Sequence, residues 1–224
     1  MRIKQFKIKN YRSFTDDQEL LLSDVNILIG PNNAGKSNLL QAIKLFFDAF
    51  EGAQNYHYNR DFPRDAPPGR TSMTTVFSLD VTNEDDAEIW NRYDRLRRKM
   101  KLPPTLIKDI PVNLQFSVGD KPTYSLFPGT SIPHLLRTSD DFQNWHQELI
   151  NEILQKFNVF YIPADKELKH LFKDIVVWVL KREIADHVKP IFNVRREKAR
   201  SLSGRQTHPA TVAPAGSNRS SRGG

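Results

Sequence analysis

Gly30-Pro31-Asn32-Asn33-Ala34-Gly35-Lys36-Ser37 is the stretch of this 224-residue chain whose reading decides the fold. It satisfies G-x-x-x-x-G-K-[ST] at every fixed position. Gly30 and Gly35 permit backbone angles and a close approach that a side chain would block, so the amides of Asn33, Ala34, Gly35 and Lys36 can turn toward phosphate oxygens. A helix starting near Ser37 adds its positive end to the same anion site. Lys36 then reaches the β- and γ-phosphates as a mobile cation, and the Ser37 hydroxyl is the candidate Mg²⁺ ligand. The flanks fit that context. Val25 to Ile29 is a short apolar run of the kind found in strands buried on both faces, and it leads straight into Gly30. Beyond the loop, Leu39, Ile43, Phe46, Phe47 and Phe50 recur at helical spacing, which predicts a helix over 37–50 with one apolar stripe.

Working outward, Phe6 and Ile8 alternate with lysines and predict a first strand, followed by a second over 19–22. Residues 51–70, with Gly52, Pro63, Pro67, Pro68 and Gly69, read as a long loop. A strand over 75–81 precedes a helix over 84–100 that carries Glu84, Asp85 and Asp86 at its N-terminal end and Trp90, Tyr93, Leu96 and Met100 on one side. Residues 112–118 and 123–127 flank Gly119-Asp120 as a hairpin. A helix over 140–157 aligns Phe142, Trp145, Leu149, Ile153 and Leu154, a short buried strand covers 159–162, and a last helix covers 166–188 and ends at Pro190.

Composition bounds the class. Hydrophobic residues make up 38% and charged residues 26%, with 14 Phe, which is the chemistry of a globular protein with a core. The longest strongly apolar run, Ile175 to Leu180, is far short of the roughly 20 residues a bilayer crossing needs, so no membrane partner is expected. Without cysteine, disulfides and thiolate catalysis are excluded, and a cytoplasmic location is expected. The net charge of +7 suggests an acidic partner until its distribution is considered. From Arg195 onward, Arg195, Arg196, Lys198, Arg200, Arg205, Arg219 and Arg222 stand against Glu197 alone, so +6 of the +7 lies in that segment. Residues 199–224 contain no aromatic residue and are expected to be a disordered basic tail behind an ordered part over 1–198.

The residues before the loop narrow the reading. Phe6-Lys7-Ile8-Lys9-Asn10-Tyr11-Arg12-Ser13-Phe14, followed by Val25 through Ile43 with its Lys36-Ser37-Asn38-Leu39-Leu40-Gln41-Ala42-Ile43, resembles the N-terminus of the ABC-type ATPases of the OLD, RecF and SMC groups. Phe160-Tyr161-Ile162-Pro163-Ala164 is similar to a strand of OLD-like members. The resemblance implies an α/β P-loop NTPase head: an N-terminal lobe with a mixed sheet, then helices and the tail. It implies ATP and Mg²⁺ as ligands and a homodimer of heads closed around two nucleotides. It also places Arg12 and Ser13 near the base or phosphates, so that the site comprises Gly30, Asn33, Ala34, Gly35, Lys36, Ser37, Asn38, Arg12 and Ser13.

The departures from that pattern bear on activity. Such ATPases carry an L-S-x-G-[EQ] signature and an apolar strand ending in Asp-Glu, the Walker B acids, and no such sequence follows here. Leu202-Ser203-Gly204-Arg205-Gln206 imitates the signature but lies in the tail with no apolar strand behind it. ATP hydrolysis is therefore expected only when those motifs are supplied. The chain reads as the ATP-binding, incomplete N-terminal part of an enzyme of DNA repair or phage defence, or else as a truncated or frame-shifted fragment without independent activity. A guanine-specific N-K-x-D is absent. Arg92, Arg95, Arg97, Arg98, Lys99 and Lys101 crowd one helix end; the plainer reading is cations solvated at the negative end of the helix, and the sharper one is a surface for DNA.

Overall fold

In the computed structural model, residues 1–162 are described. Five strands, β1 (Arg2–Lys9), β2 (Gln18–Leu21), β3 (Thr71–Ser78), β4 (Asp109–Phe116) and β5 (Pro122–Ser125), form one sheet in the order β2-β1-β3-β4-β5. Period-two alternation sets its inner face. Phe6 lies opposite Thr75 and Ile8 opposite Met73, while Met73, Thr75 and Phe77 lie opposite Leu114, Val112 and Ile110, and all of these are buried. The helices α1 (Lys36–Asp48), α3 (Glu84–Lys99) and α5 (Asp140–Gln155) supply the rest of the core, with short helices α2 (Tyr58–Asp61) and α4 (His134–Arg137) in the connections. The Phe46 ring of α1 meets Phe6 and Tyr124 edge-on, at 6.3 and 5.6 Å between centroids.

Capping explains where the longer helices start. The Asn83 side chain accepts from the Asp86 amide at the start of α3, and the Ser139 hydroxyl accepts from the Phe142 amide at the start of α5. Acids fill the first turn of both. Arg92 joins the two helices through Glu148 and Glu152. The N-terminal amine of Met1 is buried against Asp86 at 2.6 Å, and Asp86 also accepts from the Asp80 amide.

The α/β class stands, and several local expectations are corrected. Residues 25–29 form no strand, and Val25, Ile27 and Ile29 are 78%, 79% and 91% exposed. A strand exists only with a partner ladder, and no described strand pairs with this segment, so its apolar run is unused here. The expected mixed sheet is consequently antiparallel in all four of its described pairings. Residues 159–162 likewise form no strand, with Phe160 and Ile162 exposed. The strand expected over 75–81 lies at 71–78, which leaves Val81 exposed beyond it. In α5 the buried position expected for Trp145 is taken by His146, one residue on, while Trp145 lies partly exposed beneath the Lys99 ammonium at 4.1 Å. The expected helix over 166–188, Trp178, the 199–224 tail and the boundary at 198 lie outside the described residues.

Candidate functional site

The loop ahead of α1 is shaped by two left-handed residues, Asn33 at φ 66° and Gly35 at φ 87°. Only Gly35 is also enclosed. A Cβ there would stand 3.1 Å from Ser13 Oγ and 3.5 Å from the Phe14 ring, whereas one at Gly30 would meet nothing nearer than Ala34 Cβ at 3.6 Å. Gly35 is the N-cap of α1, and it has no side chain to accept from the first helical amides. The first turn contains no acid. The positive end of α1 is thus left without a protein anion, which is the electrostatic requirement for holding phosphate. Lys36 lies over the loop, its Nζ donating to the carbonyls of Gly30 and Pro31, both at 2.7 Å. Asn33, Ala34 and Ser37 are exposed.

A second turn is packed against this one. Tyr11 and Phe14 exchange backbone hydrogen bonds of 2.9 Å, which forces Arg12 and Ser13 into a tight reversal with Arg12 at φ 50°. Asn38 Nδ2 donates to Ser13 Oγ at 3.0 Å. The Arg12 guanidinium donates through Nη1 to Gln41 and, at 3.5 Å, to Asn38 Oδ1, and through Nε to Asp61 Oδ1 at 2.9 Å. Of the residues singled out from sequence, Arg12, Ser13, Gly35 and Asn38 are therefore brought together, and Lys36 rests on its own loop.

Asp61 and Gln41 were missed by sequence reading. Gln41 could have been found, since it follows Asn38 by three residues and shares its helical face. Asp61 carried no signal inside a segment read as loop. Its side chain is 1% exposed and is held by Arg12, Arg60 and the His57 amide. Burial pushes the Asp61 carboxyl up, but the hydrogen bonds from Arg60, the His57 N–H and Arg12 outweigh it and hold the group below its ordinary value.

The cations at the end of α3 are largely engaged within the protein. Arg92 pairs with Glu148 and Glu152, Arg98 with Asp94, Lys99 covers Trp145, and Arg97 donates to the Pro103 carbonyl. Four of the six cations thus have partners within the protein.

The described residues thus form an α/β domain in which a glycine-rich loop opens onto a helix without a capping side chain. The chain belongs to the AAA ATPase domain family, whose model matches residues 1–170. It is similar to the DNA replication and repair protein RecF of Desulforamulus reducens, at 42% identity over 43 residues, 19% of this chain and 12% of RecF. An uncharacterized protein of Methanocaldococcus jannaschii is 42% identical over 50 residues, 22% of this chain and 23% of that protein. The matched stretches therefore span less than a quarter of either relative. Among solved structures, the SMC head domain from Thermotoga maritima superposes with a TM-score of 0.35 at 21% identity, over 63% of this chain and 42% of that one. A structure from work on ATP-driven dimerization and DNA-stimulated activation of SMC ATPases superposes with a TM-score of 0.44 at 13% identity, over 82% and 96%. Among the described residues no helix is long and apolar enough to cross a membrane.

Proposed function

We propose that Gly30 to Ser37 is a Walker A loop that binds the phosphates of ATP with Mg²⁺, in the nucleotide-binding part of an OLD/RecF/SMC-like cytoplasmic ATPase. The observation that carries the reading is the start of α1: a left-handed Gly35, no capping side chain and no acid in the first turn. On arrival of the triphosphate, Lys36 exchanges the carbonyls of Gly30 and Pro31 for phosphate oxygens, a stronger charge-assisted contact. Mg²⁺ takes few protein oxygens and completes its shell with phosphates and water, so the single exposed Ser37 hydroxyl is a sufficient protein donor. Held there by Ser37, the ion would supply charge neutralisation to the bound phosphates. Turnover by the isolated chain is very slow, because no L-S-x-G-[EQ] signature or Asp-Glu strand supplies groups to position and polarise the attacking water. Dimerisation of two such heads, and work on DNA in repair or phage defence, belong to the same reading and rest on the family resemblance.

The test is thermal unfolding with and without Mg-ATP. At a hundredfold excess over Kd a ligand adds about 2.7 kcal/mol, which for a domain of this size raises the midpoint by about 5–10 °C. Lys36→Ala should lose most of that rise. An unchanged midpoint in the wild type, or an equal rise in Lys36→Ala, would refute the assignment.

A further inference from the structure

The Arg12 turn and the phosphate loop are joined by a residue that neither motif contains. Asp61 ends the four-residue helix α2, far from both in sequence, and it reaches Arg12 twice: the Arg12 amide donates to the Asp61 carbonyl at 2.7 Å, and Arg12 Nε donates to the Asp61 carboxylate at 2.9 Å. Both contacts act on a residue whose backbone is left-handed and whose guanidinium, 5.1 Å from the Tyr11 ring centroid, otherwise meets only neutral groups among the described residues, so Asp61 supplies the carboxylate that anchors it. Through Nη1 the same guanidinium touches Asn38 and Gln41 in the first turns of α1, and Asn38 holds Ser13, whose hydroxyl lies against Gly35. A continuous chain of contacts thus runs from a buried carboxylate to the N-terminus of α1.

We propose that Asp61 is a positioning residue for nucleotide binding: its carboxylate fixes the Arg12 guanidinium beside the phosphate end of α1. The inference rests on the phosphate-loop reading above and adds to it a residue that does not touch the ligand. Charge makes the proposal separable from simple electrostatics. Asp61 sits between Arg12 and Arg60, so the trio carries one net positive charge, and neutralising the carboxylate raises it to two. A purely Coulombic contribution would then tighten the binding of an anion. Positioning requires the opposite, because an unfixed guanidinium loses the geometry that makes a planar fork effective.

The experiment is calorimetric titration of Mg-ATP into wild type, Asp61→Asn, Arg12→Ala, the double variant and Lys36→Ala, with the folded fraction of each set by its unfolding curve. Asp61→Asn should weaken binding about tenfold, on the scale of outer-shell supports at other sites, and the double variant should bind no more weakly than Arg12→Ala. Equal or tighter binding by Asp61→Asn, or additive losses in the double variant, would overturn the proposal. Should Asp61→Asn fail to fold, Arg12→Lys, which keeps the charge and discards Nε, serves in its place. Wild-type affinity in Arg12→Lys would overturn the proposal as well. A wild type that binds no Mg-ATP refutes both readings. Binding that is lost in Lys36→Ala and kept in Asp61→Asn refutes this one alone.

Discussion

Replacing Gly35 by alanine isolates the geometry of the loop from its ligand. At φ 87° an L-residue carries a penalty of about 1–2 kcal/mol. The new methyl would also stand 3.1 Å from Ser13 Oγ, closer than Cβ atoms ordinarily come, so Ser13 has to move. Ser13 accepts from Asn38, and loss of that bond removes about another 1 kcal/mol. The lower entropy of alanine in the unfolded chain returns about 0.4–1 kcal/mol. The net expectation is a loss of about 2 kcal/mol, measured by urea unfolding followed by circular dichroism in the absence of nucleotide. Gly30→Ala is the internal control. Gly30 has no left-handed φ and its nearest neighbour would be an ordinary contact at 3.6 Å, so the same substitution should change stability by less than about 1 kcal/mol. Equal effects at the two glycines, or a Gly35→Ala variant as stable as wild type, would show that the turn against Ser13 is not what confines Gly35.

Two further expectations concern buried charge. Burial lowers the His146 pKa from its ordinary 6.5 to about 4, and the neutral ring accepts from the Leu126 amide at 3.1 Å. Between these values the unfolded chain binds the proton and the folded one does not, so stability is full above about pH 6.5 and falls as the pH drops toward 4, by at most about 3 kcal/mol. His146→Gln, which keeps an acceptor, should flatten that slope in unfolding measured across pH 4–7, and an unchanged slope would assign it to other groups. Asp86→Ala strands the buried Met1 amine and the Asp80 amide together, so its unfolding free energy should drop by about 3 kcal/mol; a change below about 1 kcal/mol would mean that water satisfies both.

Helices with continuous apolar stripes were legible in the sequence. The acids Glu84, Asp85 and Asp86 with the stripe behind them, and the stripe from Phe142 to Leu154, placed α3 and α5 to within a residue or two at each end. Strands with one buried face were legible from alternation, as in Phe6 and Ile8, but the antiparallel pairing of β1 with β2 and β3 was not. What failed was whatever depended on a partner. Val25, Ile27 and Ile29 have the residue types of a buried strand, but burial belongs to a pairing, and no local pattern states whether the pairing strand is present. His146 shows the complementary miss: a polar residue occupies a core position because a backbone amide is there to meet it, and that amide, Leu126, is twenty residues away in the chain. At the candidate site the loop itself was legible because its chemistry is contiguous. Asp61 was not, because its role arises only when the 51–70 segment folds back onto the Arg12 turn.

One consequence of how α1 is held concerns mechanics. Its first turns are tied to the Arg12–Ser13 reversal through Asn38 and Gln41, and near its other end the Tyr124 hydroxyl of β5 donates to the Phe46 carbonyl. A bar pinned at both ends moves as one piece. A displacement at Gly35 is therefore delivered to Phe46, about 16 Å away at about 1.5 Å of helix per residue, and through Tyr124 to the far edge of the sheet, so that β5 becomes the place where a spectroscopic label would register an event at the loop.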